Sequence, residues 1–513
     1  MNLLMLMKLL YFDIKILKIF FLFFIVSSCR VSENNQPNII YILADDLGYG
    51  ELGVYGQRLI ETPNIDNLSK TGMKFLNHYT GSPVCAPARS VLMTGMHSGN
   101  NYIRANSEWS ERGDIWSFQS MFDDPNLEGQ RPLLDTIVTI AKVLQDNGYK
   151  TGIVGKWGLG GPLTNSVPNK KGFDFFYGYN CQRQAHNLYP THLWRNEKRH
   201  ILDNYIIDKN LNGNDPYLEK TYKKFNQKDY APTLMHNEAL QFIEKNKNHP
   251  FFLYYASPLP HLPLQAPKNW VNYYTKKFGD EEPYLGKSYY PNRYPKATYA
   301  AMISYLDQQV GDIIVKLKEI GEYENTLLIF TSDNGPTYLD QVDYEYFNST
   351  GIFVNSSNSM KGSLREGGLR VPMIVNWPNE IKGNSVSNHI SVFYDFFETV
   401  LDVANIQSSF STDGISYLPE LKGKKQKKHK YLYWEYPESG GLQAIRMGKW
   451  KGIKTNLFEG NSKLKLYDLS LDHKELNDVS AHNPKIVNLL ENYLIESHKT
   501  PSLDEFIIPS LEL

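Results

Sequence analysis

The stretch Asn38-Ile39-Ile40-Tyr41-Ile42-Leu43-Ala44-Asp45-Asp46 decides the fold class of this chain. An uninterrupted, mostly apolar run that leads directly into two carboxylates is typical of a strand buried on both faces. We therefore predict a strand over residues 38–44, with Asp45 and Asp46 just beyond its end. Strands of this kind lie in parallel sheets that carry helices on both faces.

The same pattern recurs further along the chain. Short apolar runs predict strands at 151–154, 251–255 and 327–330. Amphipathic stretches predict helices at 135–145 and 299–320, the second of them ending at Gly321. Strands that alternate with helices predict an α/β fold with a large, mostly parallel sheet.

A different pattern begins near residue 410. A basic segment at 422–430 indicates an exposed linker. Short strand-like runs follow it, at 431–435, 442–447, 450–454 and 463–467, and then a helix at 484–497. We predict a catalytic domain over 38–410 and a small antiparallel α+β subdomain over 411–513.

The first residues indicate export. Three lysines (Lys8, Lys15 and Lys18) precede an apolar run at 19–26 that is too short to span a bilayer comfortably. The segment 26–29 resembles a bacterial lipobox, which predicts a lipoprotein signal peptide over 1–29, a lipid anchor at Cys29 and a polar tether over 30–37. An ordinary cleaved signal with a free Cys29 is the alternative. Asp13 is unusual in a signal and leaves Met5 and Met7 as alternative starts.

Charge and cysteine content narrow the function classes. The 513 residues carry a formal net charge of −1, which leaves no basic footprint for nucleic acid. The chain has only three cysteines, at positions 29, 85 and 181. If Cys29 carries lipid, a disulfide between Cys85 and Cys181 is the one intramolecular pair that remains possible. The surroundings of Cys85, described below, argue against that pair.

Polar residues follow the ends of the predicted strands. These residues are Asp45, Asp46, Lys156, His261, Asp333 and Asn334. Ligands of open α/β sheets bind outside the carboxyl ends of the strands, so we expect these side chains to meet. Carboxylates with an amide oxygen suit calcium or magnesium rather than zinc. A single Asp at such a position would more often be a helix cap.

The segment Ser82-Pro83-Val84-Cys85-Ala86-Pro87-Ala88-Arg89-Ser90 contains the pattern Cys-x-Pro-x-Arg. This pattern resembles the signature of the sulfatase family. Four further motifs resemble the same family and occur in its order, at 37–50, 62–68, 332–335 and 361–372. The resemblance covers nearly the whole chain after the signal. It implies an alkaline-phosphatase-like α/β sandwich with a C-terminal subdomain.

The resemblance also implies a chemistry. A maturation enzyme would oxidise Cys85 to formylglycine, whose hydrate attacks the sulfur of a sulfate ester. Calcium would be held by Asp45, Asp46, Asp333 and Asn334 together with residue 85. Arg89 and Lys156 would hold the hydrated aldehyde. Lys361 and His261 would face the bridging oxygen, with His261 as the general acid.

One position departs from the family pattern. In the family, a histidine that could help expel sulfate often stands two residues after the lysine that matches Lys156. This chain has Gly158 there. We hypothesise that His186 or His192 supplies its function, because both lie near it in sequence. The runs 155–160, 180–187 and 189–196 resemble bacterial sulfatases that act on sulfated galactose-type sugars, including the 4-position of galactose or N-acetylgalactosamine. Candidate substrate contacts are Arg183, His186, His192 and Arg195, each of which could equally be packing in a loop.

Two alternatives remain open from the sequence. A phosphonate monoester or phosphodiester hydrolase could share this fold, since fold does not determine function. A non-catalytic, glycan-binding lipoprotein is the alternative from another class. The intact polar set around Cys85 argues against the non-catalytic alternative. The resemblance implies an enzyme with a sulfated carbohydrate substrate and a formylglycine-generating partner.

Overall fold

The structure is a computed structural model that describes residues 36–461 and 463–512. The predicted signal peptide, Cys29 and nearly all of the predicted tether lie outside the described residues. Residues Pro37–Leu513 form one compact unit. No helix in the described part of the chain is both long and apolar enough to cross a membrane.

The strands are short and are distributed over the whole described chain. Their bounds are β1 Asn38–Ala44, β2 Met73–Tyr79, β3 Lys150–Lys156, β4 Phe175–Tyr179, β5 His192–Arg195, β6 Lys198–Ile201, β7 Phe251–Ala256, β8 Thr326–Ser332, β9 Met373–Asn376, β10 Ser385–Val392, β11 Leu432–Tyr436, β12 Leu442–Met447, β13 Trp450–Lys454 and β14 Lys465–Asp468.

The helices alternate with these strands. Their bounds are α1 Pro63–Thr71, α2 Cys85–Thr94, α3 Phe118–Asp123, α4 Ile140–Asp146, α5 Ala231–Asn246, α6 Lys268–Phe278, α7 Pro295–Glu319, α8 Tyr344–Phe347, α9 Glu366–Leu369, α10 Asp395–Ala404, α11 Leu418–Leu421 and α12 Pro484–Ser497.

Two sheets confirm the predicted fold class. The large sheet has ten strands in the order β10-β2-β9-β8-β1-β7-β3-β4-β5-β6. Its central strands β8, β1, β7, β3 and β4 are parallel, whereas β9, β5 and β6 run antiparallel to their neighbours. The small sheet, β11-β12-β13-β14, is wholly antiparallel.

Strand β1 shows why an unbroken apolar run was needed. Ile39, Tyr41 and Leu43 enter one hydrophobic core, and Ile40 and Ile42 enter the other. Successive side chains of a strand point to opposite faces, so a central strand covered on both sides must be apolar at every position. The sheet is therefore the middle layer of a sandwich.

Two helices differ from their predicted bounds. Helix α4 begins at Ile140 rather than 135, because the Thr139 hydroxyl caps it by accepting from the Lys142 backbone amide (3.2 Å). Helix α7 begins at Pro295, earlier than expected, and Pro is well suited to a first turn. It is followed by Gly321 in the left-handed conformation (φ 76°), as predicted.

Candidate active site

The polar residues at the strand ends meet at one edge of the large sheet. Strand β1 lies between β8 and β7, and β7 pairs with β3, all in parallel. Parallel strands place their carboxyl ends together, so Asp45, Asp46, Asp333 and Asn334 become neighbours of Lys156. All five residues are at most 2% exposed.

Asp46 has an unusual backbone. Its φ is 65°, in the left-handed region that non-glycine residues seldom adopt. Its amide donates to Asp333 Oδ1 (3.1 Å), and Asn334 Nδ2 donates to Asp46 Oδ1 (2.8 Å). These contacts from the end of β8 hold the conformation. Strained residues that the surroundings hold in this way are concentrated at functional sites.

Cys85 is the first residue of helix α2, which is buried along its whole length. Its thiol donates to Asp45 Oδ1 (3.3 Å), and Lys361 Nζ lies 3.5 Å from its sulfur. The next amide, that of Ala86, donates to Asn106 Oδ1 (2.8 Å). A group at position 85 thus stands at a helix N-terminus, where negative charge is favoured.

Two buried cations support the carboxylates from the side of α2 and β3. Arg89 Nη2 contacts Asp333 Oδ2 (2.7 Å) and Asp45 Oδ2 (3.4 Å). Arg89 Nη1 also donates to the Lys156 carbonyl (2.8 Å). Lys156 Nζ donates to Asp45 Oδ2 (2.6 Å). Paired and hydrogen-bonded charges of this kind are the form in which ions are tolerated inside a protein.

Lys361 and His261 complete the cluster around Asp46. Lys361 Nζ lies 2.7 Å from Asp46 Oδ1 and 2.9 Å from Oδ2. His261 Nε2 lies 3.7 Å from Asp46 Oδ2, and its Nδ1 lies 2.7 Å from the Leu262 carbonyl. A carbonyl only accepts, so Nδ1 carries a proton and Nε2 is the nitrogen that faces the site.

The charges of the cluster shift its ionisation. Burial acts to raise the pKa of Asp45, but the charge of Lys156, with smaller effects of His261 and Arg89, holds it well below its usual range. Burial and the Asp45 charge raise the pKa of Asp333 to about 6. Burial, with help from Lys361, lowers the pKa of His261 to about 4.

The Cys85 thiol is not set up as a thiolate. Burial and then the Asp45 charge raise its pKa well above the ordinary value. Reactive cysteines normally have a lowered pKa, because the thiolate is the nucleophile. Cys85 and Cys181 are both free and buried, so the alternative of a disulfide between them does not hold.

The oxygen atoms of the cluster fit a hard cation. Oxygen, sulfur and nitrogen atoms of Asp45, Asp46, Cys85 and His261 lie within 4.8 Å of one another. Asn334 Oδ1 is buried and has no hydrogen-bond partner among the described residues. A buried oxygen without a donor beside several carboxylates suits an oxygen-seeking divalent ion.

A cavity of about 830 Å³ opens over this cluster. Asp46, Cys85, His261 and Lys361 line its floor. Strand residues of the small sheet, among them Tyr436, Leu442 and Ile453, line another part of it. The volume is that of a ligand-sized site, and both sheets contribute to it.

Two of the four predicted substrate contacts lie at or beside this cavity. His186 lines it, and its ring stacks on that of His261 with centroids 4.9 Å apart. Arg183 stacks on Trp116, which also lines the cavity, with its Cζ 4.6 Å from the ring centroid. Its Nη2 donates to the Trp116 carbonyl (3.0 Å).

The other two predicted contacts are held elsewhere. His192 is 2% exposed and bonds the buried carboxylate of Glu128 through Nε2 (2.8 Å). Arg195 pairs with Glu238 through both terminal nitrogens, one at 2.9 Å, and lines a separate surface depression. Neither lines the cavity over Cys85.

The structure shows why residue 158 has no side chain where the family often has a histidine. Gly158 has φ 75°, and a Cβ added there would lie 2.1 Å from Gln182 Nε2. Gln182 therefore occupies the space that a side chain at 158 would need. Gln182 and Glu108 both line the cavity but were not among the predicted contacts, because only tertiary contacts place them there.

Comparison with known proteins decides the family. The family model described as Sulfatase matches residues 37–406. The chain belongs to the sulfatase family. The model described as N-sulphoglucosamine sulphohydrolase, C-terminal, matches residues 360–500. The predicted family is thus confirmed, and this sulfatase is a sulfuric ester hydrolase.

Individual relatives align over most of the sulfatase. The human N-acetylgalactosamine-6-sulfatase is 30% identical over 81% of this chain and 71% of its own length. The N-acetylgalactosamine-6-O-sulfatase of Bacteroides thetaiotaomicron is 29% identical over 91% of this chain and 94% of its own.

A solved structure confirms the fold. The crystal structure of Ps i-CgsB in complex with k-i-k-neocarrahexaose matches with a TM-score of 0.71 and 28% identity. The match covers 93% of this chain and 96% of that one. The expected alkaline-phosphatase-like sandwich is therefore the fold of this sulfatase.

Proposed function

We propose that this sulfatase hydrolyses sulfate esters on carbohydrates, using a formylglycine at position 85 and a bound calcium ion. The observation that carries the proposal is the position of Cys85. It stands at the N-terminus of α2, within reach of Asp45 and Lys361, on the floor of a ligand-sized cavity.

The charge balance of the cluster supports binding of an anionic ester. Asp45, Asp46 and Asp333 are matched by Arg89, Lys156 and Lys361. A divalent ion held by Asp45, Asp46, Asp333 and Asn334 with residue 85 would leave net positive charge where the sulfate group sits. Positive charge at that point stabilises the negative charge that develops on the sulfate oxygens.

The neutral thiol of Cys85 is consistent with its replacement by another nucleophile. Formylglycine supplies, as its hydrate, an oxygen nucleophile that can later release sulfate without attack by water. A formylglycine-generating enzyme is the partner that this modification requires. Arg89 and Lys156 fix the carboxylates around position 85 and so orient whatever group stands there.

His261 and Lys361 act on the bridging oxygen of the ester. His261 has its Nδ1 tied to a carbonyl, so only Nε2 can carry a proton to the leaving alcohol. Lys361, at 2.7 Å from Asp46, remains charged and assists the departing oxygen.

The relatives support a galactose-type substrate. Two of them are named for N-acetylgalactosamine 6-sulfate esters, and the solved structure holds a neocarrahexaose. The sequence favoured sulfated galactose or N-acetylgalactosamine, including the 4-position. We include both the 4- and the 6-position in the proposal, because the sequence favours the first and the names of the relatives favour the second.

Release of inorganic sulfate tests the proposal. The full chain would be co-produced with a formylglycine-generating enzyme and supplied with the 4- and 6-sulfates of galactose and N-acetylgalactosamine. We expect sulfate release that falls at least about a thousandfold in Cys85→Ala, because the nucleophile is lost. Cys181→Ser is the matched control, since Cys181 is also a free, buried cysteine but does not line the cavity.

The alternatives predict other outcomes in the same assay. Turnover of phosphonate or phosphate esters without sulfate release, with formylglycine confirmed by mass spectrometry, would favour the phosphonate monoester or phosphodiester hydrolase. Glycan binding with an unmodified Cys85 would favour the non-catalytic lipoprotein.

Export and anchoring complete the proposal. We place the sulfatase in the periplasm or at the cell surface of a bacterium, attached to the membrane only by lipid at Cys29. Metabolic labelling with a palmitate analogue would test this, with Cys29→Ala as the control. Label that persists in Cys29→Ala would contradict the anchor.

A further inference from the structure

Gln182 lies on the cavity wall with its side-chain amide unpaired. Neither its Oε1 nor its Nε2 has a hydrogen-bond partner among the described residues, although the residue is only 3% exposed. A buried amide without partners costs free energy that hydrogen bonding recovers. Because Gln182 lines the cavity, a ligand in that cavity can supply those bonds.

The position of Gln182 is firmly set next to the catalytic cluster. Its backbone amide donates to Gln130 Oε1 (2.8 Å). Its side chain packs against Gly158, which follows Lys156 by two residues and donates its own amide to the Asn180 carbonyl (3.0 Å). The group that meets Gln182 therefore belongs to the part of the substrate close to the sulfate ester.

Glu108 stands on the same wall. It forms a β-bridge with Gln130, the residue that also holds Gln182, and it lines the cavity. Two residues earlier, Asn106 accepts the Ala86 amide next to Cys85 (2.8 Å). Burial raises the pKa of Glu108 to about 7, with Gln130 and Arg183 opposing the shift. This carboxyl group is thus a second polar contact near the nucleophile.

The chemistry of these two side chains selects a class of ligand group. A glutamine amide offers one accepting oxygen and an N–H donor, and a carboxylate only accepts. A hydroxyl or acetamido group can both donate and accept, so it matches the pair. A second sulfate group offers acceptors only, so it would leave the accepting oxygens of both side chains without a donor.

We propose that Gln182 is a specificity-determining residue. Together with Glu108, it hydrogen-bonds an unsulfated hydroxyl or acetamido group on the ring that carries the sulfate ester. The inference rests on the proposed carbohydrate sulfatase function. It assigns to Gln182 a contact with the sugar rather than with the sulfur chemistry.

Substrate-selective kinetics test this role. kcat/KM would be measured for N-acetylgalactosamine 6-sulfate, or the fastest sugar sulfate of the panel above, and for 4-nitrophenyl sulfate, which has no ring hydroxyls. In Gln182→Leu we expect the sugar-to-aryl ratio of kcat/KM to fall about tenfold to a hundredfold, as a lost hydrogen bond to substrate predicts. Gln182→Glu, which keeps the shape, is the second variant and should also lower the ratio if Gln182→Leu does not fold.

Gln341 provides a matched control. It is also 3% exposed with both side-chain amide atoms unpaired among the described residues, but it does not line the cavity. Gln341→Leu should leave the ratio within about twofold of wild type. An unchanged ratio in the Gln182 variants, or an equal change in Gln341→Leu, would overturn the inference. Absence of sulfate release by the wild type from every ester would instead refute the proposed function, and this inference with it.

Discussion

Lys156 and Lys361 each neutralise one member of the Asp45-Asp46 pair. Lys156 contacts Asp45 at 2.6 Å, and Lys361 contacts Asp46 at 2.7 Å while also reaching the Cys85 sulfur. Fixed, desolvated charges on every side of position 85 need no rearrangement when substrate charge develops. Individual side chains therefore prepare the site before any ligand enters.

The two histidines proposed to replace the one absent at 158 can now be told apart. His186 faces the cavity against His261, whereas His192 is tied to Glu128. We expect His186→Ala to lower kcat for sulfate release by about tenfold or more. His192→Ala should keep kcat but lower the free energy of unfolding by about 1–3 kcal/mol, because a buried carboxylate loses a partner.

Steady-state kinetics and urea unfolding of both variants check this difference. The matched comparison separates a role in turnover from a role in packing. Unchanged turnover in both variants would end the hypothesis that either histidine replaces the missing one.

At the ends of strands β1 and β8, a bound ion would join two elements. Asp45 and Asp46 follow β1, and Asp333 and Asn334 follow β8. Removing calcium with EGTA should lower both activity and the melting temperature, because an ion that binds only the folded state stabilises it. Re-addition of calcium should restore both.

The melting temperature gives a readout of the ion that does not depend on turnover. Asp46→Asn should show a much smaller shift between EGTA and calcium than wild type. An equal shift in Asp46→Asn would place the ion elsewhere.

Strand β2 carries a histidine that should make stability sensitive to acid. Burial, with a smaller effect of His389, lowers the pKa of His78 to about 3. The unfolded chain has a pKa of about 6.5 and binds the proton first, so stability falls as pH drops below about 6.5. The loss is at most about 1.4 kcal/mol per pH unit for this group.

Urea unfolding between pH 6.5 and 5 checks the effect of His78. In His78→Gln the free energy of unfolding should fall less steeply over this range than in wild type. His249→Gln is the control, because His249 is exposed. Parallel curves for wild type and His78→Gln would contradict the assignment.

Across the whole molecule, the two sheets depend on each other. Trp434 of β11 donates its indole N–H to the Thr80 carbonyl after β2 (2.8 Å). Glu435, fully buried, pairs with Arg104 at 2.6 Å. The predicted domains 38–410 and 411–513 are thus joined by buried polar contacts, and we expect one cooperative unfolding transition.

Arg104→Met tests the joint between the sheets. Breaking one partner of a buried ion pair should cost about 3–5 kcal/mol and shift the single transition as a whole. Lys142→Met, which breaks the exposed pair with Asp146, should cost about 0.5 kcal/mol or less. Two separate transitions in calorimetry, with only one moved by Arg104→Met, would contradict the coupling.

Local pattern was enough for several elements of this chain but not for all of them. Strand β1, strands β12 and β13 and helix α12 have the bounds that periodicity predicted. Hydrophobic period is a property of neighbouring residues, so the sequence alone conveys it. The sulfatase motifs, which are also short and contiguous, identified Cys85 and the family in the same way.

Only the tertiary structure decided which polar side chains share a cavity. His186 and His192 are close in sequence and were equal candidates there, yet Glu128, far from both along the chain, bonds His192. Gln182 stands where a side chain at 158 would lie, a contact that no local pattern expresses. Such placements depend on which distant segments pack together, and this information belongs to the folded chain rather than to any stretch of it.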